Sequence, residues 1–235
     1  MGTVGRIAGL AILCLTYCST ATQAARPPEA NDRYEAIIFQ EGGAIGLADM
    51  NPRVLPIRMS TRSDTGKIAL YIETDQAGLA RVHDDAQLPL KGPILIYKTL
   101  GPHVQATEAV KANAGSLSQG RRGALLTYYL FALLEPAEGH EETFNDYYDS
   151  THLPEVITVP GMQWGVRGRL VSQQPEEFKG PRYSAIYEFK SYDLKKTMAE
   201  IDRRLKDGTT KAFPNGSVGR NALVFYAGPA ESPRR

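Results

Sequence analysis

The run FNDYYDSTHLPEVITVPGM, residues 144–162, gathers the side chains best suited to chemistry. At helical spacing Phe144, Tyr148, Thr151 and His152 share one face, with Tyr147 beside it. A histidine titrates near neutral pH and can serve as acid or base. Pro154 lacks a backbone donor, so the first helical stretch ends near His152, where free carbonyls favour a cation. His152 and Tyr148 are the catalytic candidates, the tyrosine positioning a phenolic or carbonyl oxygen. The competing reading is structural: a half-buried histidine bonded to a carbonyl, and a core tyrosine with a polar tip. Asp149 either orients the imidazole or faces solvent.

Two downstream strands would face this helix. In MQWGVRGRL, residues 162–170, Met162, Trp164, Val166 and Leu170 alternate with Gln163, Arg167 and Arg169. In RYSAIYEFK, residues 182–190, Tyr183, Ala185, Tyr187 and Phe189 fall together. Phe144, Tyr147, Trp164, Tyr183 and Tyr187 are thus candidate substrate-binding residues. Trp164 is either a cavity wall or an interface anchor. Arg167 and Arg169 would bind a carboxylate, pair across an interface, or be solvated.

No metal site is expected. His83, His103, His140 and His152 are scattered, without HxH or HxxxH spacing. GxSxG, P-loop and HExxH motifs are absent, and the glycine-rich GGAIG, residues 42–46, lacks phosphate-cradling spacing. Nothing calls for a cofactor.

The positioning elements fall into two textures. Residues 33–104 read as a small antiparallel β domain with strands at 34–40, 54–60, 67–74, 79–83 and 94–100, separated by SDTG, DQAG and LKGP. Residues 105–123 read as a linker opening on a helical turn. Residues 124–229 then give a strand (124–136), a helix (141–157), two alternating strands, a helix capped by Ser191 and ending at Gly208, and a last strand (222–227). The order is β-α-β-β-α-β, the ferredoxin-like pattern, with both helices on one sheet face. The other face must be covered by a second copy, making a homodimer, or by the N-terminal strands. A degenerate N-terminal duplicate of the same unit is disfavoured because its helix slots are missing.

The 235 residues carry a formal charge of +1, which offers nucleic acid no basic field. Arg6, the apolar run 7–18 and the small residues after it predict a signal peptide over 1–24, hence an exported protein, periplasmic or secreted, with no membrane span after cleavage. Cys14 and Cys18 both fall inside it, leaving the mature chain without disulfides or thiol chemistry. Asn215-Gly216-Ser217 matches a glycosylation sequon, a triplet common by chance.

The helix-and-turn run, the arginine-bearing strand after it and YSAIYEF resemble the dimeric α+β barrel superfamily, and within it EthD-like proteins, over roughly residues 125–229. That resemblance implies a ferredoxin-like barrel with a small-molecule cavity between sheet and helices, lined by the first-helix histidine. The superfamily includes cofactor-free monooxygenases, cyclases, isomerases and haem enzymes, so it implies a fold more firmly than a reaction. The expected function is a cofactor-independent cyclase, isomerase, lyase or monooxygenase acting on an aromatic or polyketide-like small molecule. The alternative is a non-catalytic binding or assembly module whose α+β half dimerises.

Overall fold

The computed structural model describes residues 32–40, 54–60, 68–76, 79, 93–118, 124–214 and 218–229. The expected signal peptide, the GGAIG segment and the sequon lie outside the described residues.

β1 (Arg33–Gln40), β2 (Val54–Ser60), β3 (Ile68–Asp75) and β4 (Ile94–Thr99) form where β-branched and aromatic residues concentrate. The short β5 (Val104–Gln105) follows, then α1 (Glu108–Ala112), capped by Thr107, whose side chain accepts from the Val110 amide. A 3-10 turn (Asn113–Ser118) completes this segment. The second half contains β6 (Leu126–Pro136), α2 (Glu141–Tyr147), α3 (Leu153–Val156), β7 (Met162–Gln174), β8 (Tyr183–Ser191), α4 (Leu194–Asp207) and β9 (Val218–Pro229). This is the expected β-α-β-β-α-β unit, preceded by antiparallel strands. Two local expectations are corrected. Asp193, not Ser191, caps α4, its carboxylate accepting from the Lys196 amide, while Ser191 supports the cap by accepting from the Asp193 amide. Leu79, expected in a strand, is helical, as is Gln76.

The strands make one sheet ordered β4-β1-β3-β2-β9-β6-β8-β7-β5, and β7 pairs again with β4. Eight strands therefore close into a barrel, with β5 lying along β7. Each half has the same internal order, fourth-first-third-second: β4-β1-β3-β2, then β9-β6-β8-β7. The halves join by equivalent antiparallel seams, β2 to β9 and β4 to β7. That repetition supports the tandem arrangement that the sequence had disfavoured. The missing helix slots fall in the intervals 41–53 and 76–93, which are mostly undescribed; the helical Gln76 and Leu79 open the second. The barrel also removes the reason for expecting a homodimer, because the chain covers its own second sheet face.

Strand alternation divides the apolar residues into two layers. Ile37, Tyr71, Leu95, Tyr97, Phe131 and Ile186 fill the barrel interior. Leu130, Phe144, Tyr148, Val156, Tyr187 and Phe189 pack between the second-half sheet and its helices. Burying each such side chain contributes roughly 1.5–3 kcal/mol.

Candidate functional site in the helix–sheet layer

His152 lies in a π-helical turn, Tyr148–His152, inserted between α2 and α3. The Leu153 amide closes that turn on the Tyr148 carbonyl. Pro154 supplies a cause: it has no N–H for the Ser150 carbonyl four residues back, and its ring would crowd that group in a regular helix. Widening the preceding turn relieves both, and single π turns recur at functional positions.

This turn aims Tyr148 and His152 into the layer. Tyr148 is 1% exposed and its hydroxyl accepts from Tyr187 at 3.3 Å. The rings of Tyr148 and His152 meet edge to face at 5.0 Å, and Phe144 meets Tyr148 at 5.5 Å. Tyr147 lies 6.5 Å from His152 and Tyr183 lies 5.6 Å from Phe144. Six of the seven expected site residues are therefore gathered: His152, Tyr148, Phe144, Tyr147, Tyr183 and Tyr187. Trp164 is the exception. A register shift between Met162 and Trp164 leaves Met162 under the helices and turns Trp164 into the barrel, where it stacks on His103 at 4.2 Å. An unbroken alternation would have kept the two residues together.

Burial is the main force holding the His152 pKa below its ordinary value, so the ring is neutral at pH 7. A hydrogen bond to the Lys211 backbone opposes that shift. A backbone partner that favours the charged ring is a carbonyl, so one ring nitrogen donates there. Nδ1 is buried and has no partner. A neutral imidazole donating through its other nitrogen presents Nδ1 as a lone pair. Burial also raises the Tyr148 phenol to about 12, keeping it a donor.

The residue that pattern reasoning undervalued is Arg167. Its side chain is 2% exposed, beneath the helix. It donates to Asp149 Oδ1 at 2.8 Å and Asn145 Oδ1 at 2.6 Å. Its guanidinium lies 4.5 Å from the Tyr148 ring centroid. Asp149 therefore orients Arg167 rather than the imidazole. The Nε of Arg167 and the hydroxyl of Tyr147 are also buried without partners. Phe213, from the segment after α4, was missed altogether: its ring sits 4.5 Å from His152 and stacks on Phe144 at 5.6 Å. No helical or strand period points to a loop residue, so nothing in the pattern singled it out. At the rim, Glu141 accepts from Arg182 and Tyr183; the Tyr183 hydrogen bond leads in lowering its pKa.

Among the described residues no three His, Cys, Asp or Glu side chains gather as a metal site, and no helix is long and apolar enough to cross a membrane.

No family model matches the chain, and no curated protein matches it. Among solved structures it is similar to an anthrone oxidase-like protein at TM-score 0.49 and 9% identity, over 86% of this chain and 92% of that one. A putative chlorite dismutase aligns at TM-score 0.44 and 13% identity, over 85% and 95%. A mutant chlorite dismutase from Candidatus Nitrospira defluvii aligns at TM-score 0.45 and 11% identity, over 86% and 92%.

Proposed function

We propose that the chain is an exported, small-molecule-binding α+β barrel enzyme whose ligand enters the helix–sheet layer beside His152. The observation that supports this best is the set of unpartnered buried polar atoms there: His152 Nδ1, Arg167 Nε and Tyr147 hydroxyl. Leaving such groups unpaired costs about 1–3 kcal/mol each, a cost that a ligand with matching polar atoms removes. The base is neutral and the nearby cation fixed, which suits proton abstraction from an aromatic or polyketide-like acid. His152 takes the proton, Tyr148 donates to the oxygen that gains charge, and Arg167 stabilises the resulting anion. Cyclisation, isomerisation, lyase chemistry and oxygenation can all begin with this step. The ring of Phe213 occupies the space against His152, so the ligand displaces it.

The sealing of His152 by Phe213 and its bond to the Lys211 backbone favour a second reading, a non-catalytic binding or assembly module.

A thermal-shift screen with hydroxylated naphthalenes and anthraquinones separates the two. Binding to the folded state raises the melting temperature by mass action. The enzyme reading expects a stabilising ligand, a larger shift in Phe213→Ala, and a shift and turnover lost in a folded His152→Ala. No shift in wild type or Phe213→Ala, or turnover unchanged in folded His152→Ala, eliminates it.

A further inference from the structure

The inner face of the barrel, on the opposite side of the sheet from His152, carries a second polar cluster. Glu35, Glu73 and Glu188 alternate on their strands with, or share register positions with, the residues filling the interior. Ile37 follows Glu35 by two, Tyr71 precedes Glu73 by two, and Ile186 precedes Glu188 by two. Glu35 is 0% exposed; its Oε1 accepts from the Tyr71 hydroxyl at 2.9 Å, while Oε2 has no partner. Ser184 Oγ, 1% exposed, makes no well-formed hydrogen bond either, but lies near enough to Glu35 to favour its charged form. Glu188 accepts from the Tyr129 hydroxyl at 2.9 Å.

Three aromatic rings connect these acids. Tyr71 lies 5.5 Å from Tyr129, and Tyr129 lies 6.1 Å from Trp164. The far end of this chain reaches solvent: the Glu73 and His103 side chains are 28% and 24% exposed, and they face each other at 3.6 Å. Described positive charge is confined to the rim, where the half-exposed Arg33 touches Glu73 at 3.2 Å. Arg167 and Arg169 project to the helix side, where they meet Asp149 and Glu141.

We propose that the mouth of the barrel, where Trp164, His103, Glu73 and Glu188 meet above the filled interior, is a second ligand site, taking an organic ammonium ion. Carboxylates facing aromatic rings attract a cation and repel an anion. The ammonium N–H groups would pair with Glu73 and Glu188 and, deeper, with Oε2 of Glu35, which burial keeps protonated and which would release its proton to solvent as the cation arrives. The apolar arm would lie against Tyr129 and Trp164. This inference is independent of the chemistry proposed at His152, since the sheet separates the two layers.

Trp164 is the only tryptophan in the chain, so its emission reports this site directly. The test titrates the full chain with benzylammonium, and with benzoate and benzyl alcohol as anionic and neutral counterparts of the same shape. Benzylammonium is expected to shift Trp164 emission saturably and to raise the melting temperature, while the other two do neither. Glu73→Gln and Glu188→Gln should each weaken the response about tenfold, as loss of one charge contact does, whereas His152→Ala should leave it unchanged. A linear response, an equal response to benzoate or benzyl alcohol, or full binding by both glutamine variants overturns the proposal. Should those variants fail to fold, the wild-type contrast between benzylammonium and benzoate in the melting temperature decides it alone.

Discussion

Two buried titratable side chains make opposite demands on solvent pH. Glu35 is pushed up to about 8, chiefly by burial and secondarily by the charge of Glu73, against the opposing effects of the Tyr71 hydrogen bond and the Ser184 hydroxyl. Its folded-state pKa exceeds the unfolded value, so its stabilisation is complete below about pH 4.5 and is lost as pH rises through about 8. His152 is lowered, so its contribution is complete above about pH 6.5 and is lost as pH falls below that value. Glu35→Gln keeps the shape, accepts from Tyr71 and cannot ionise. In urea unfolding it is expected to be more stable than wild type above about pH 8 and to show little difference near pH 4. An equal loss at both pH values would show that packing, not ionisation, governs this position. The sequence held this signal in RYEAIIFQ, where Glu35 falls on the same strand face as Ile37. That Glu35 lay inside could not be read, because which face of β1 turns inward depends on its pairing with β3 and β4.

The helix over 141–157 was legible from its apolar period and from Pro154, and so were the inward Phe144, Tyr148 and His152. The π turn was not, because the spacing of four from Phe144 to Tyr148 to His152 fits a regular helix equally well. The exit into β7 depends on Gly161, whose amide donates to the Val110 carbonyl and whose carbonyl accepts from Lys190. Its φ is +89, and an added Cβ would lie 2.3 Å from the Lys190 carbonyl oxygen. Gly139, between β6 and α2, has φ +77 but open space around it. The pair separates backbone strain from collision. Gly139→Ala is expected to cost about 1–2 kcal/mol in urea unfolding, the strain alone. Gly161→Ala should cost at least about 2 kcal/mol more, with the entry to β7 shifted away from Lys190 on β8. Equal costs would mean that the β7 entry yields without loss.

At the scale of the molecule, the strand order explains why half the architecture was hidden from pattern reading. Periodicity identified β1, β2, β3 and β4 within a residue of their observed ends, but local pattern carries no information on which strands pair across a hundred residues. The seams at Met59–Ala227 and Lys98–Arg169 link the first half to the second. They leave Tyr129, Phe131, Leu133, Val166 and Ile186 covered by the chain itself. Residues 124–235 expressed alone would retain the β-α-β-β-α-β order but expose that inner face, a patch of the kind that drives self-association. The expected result in light scattering is a fragment that dimerises or forms larger species, against a full chain that needs no partner for this face. Phe131→Ala, at the centre of the shared interior, should lower full-chain stability by about 3–5 kcal/mol. It should move the unfolding of both halves together, as seen by Trp164 emission and by far-ultraviolet circular dichroism. A second half that stays monomeric, or a full chain whose two signals melt separately, would mean that the halves are independent units and that barrel closure contributes little.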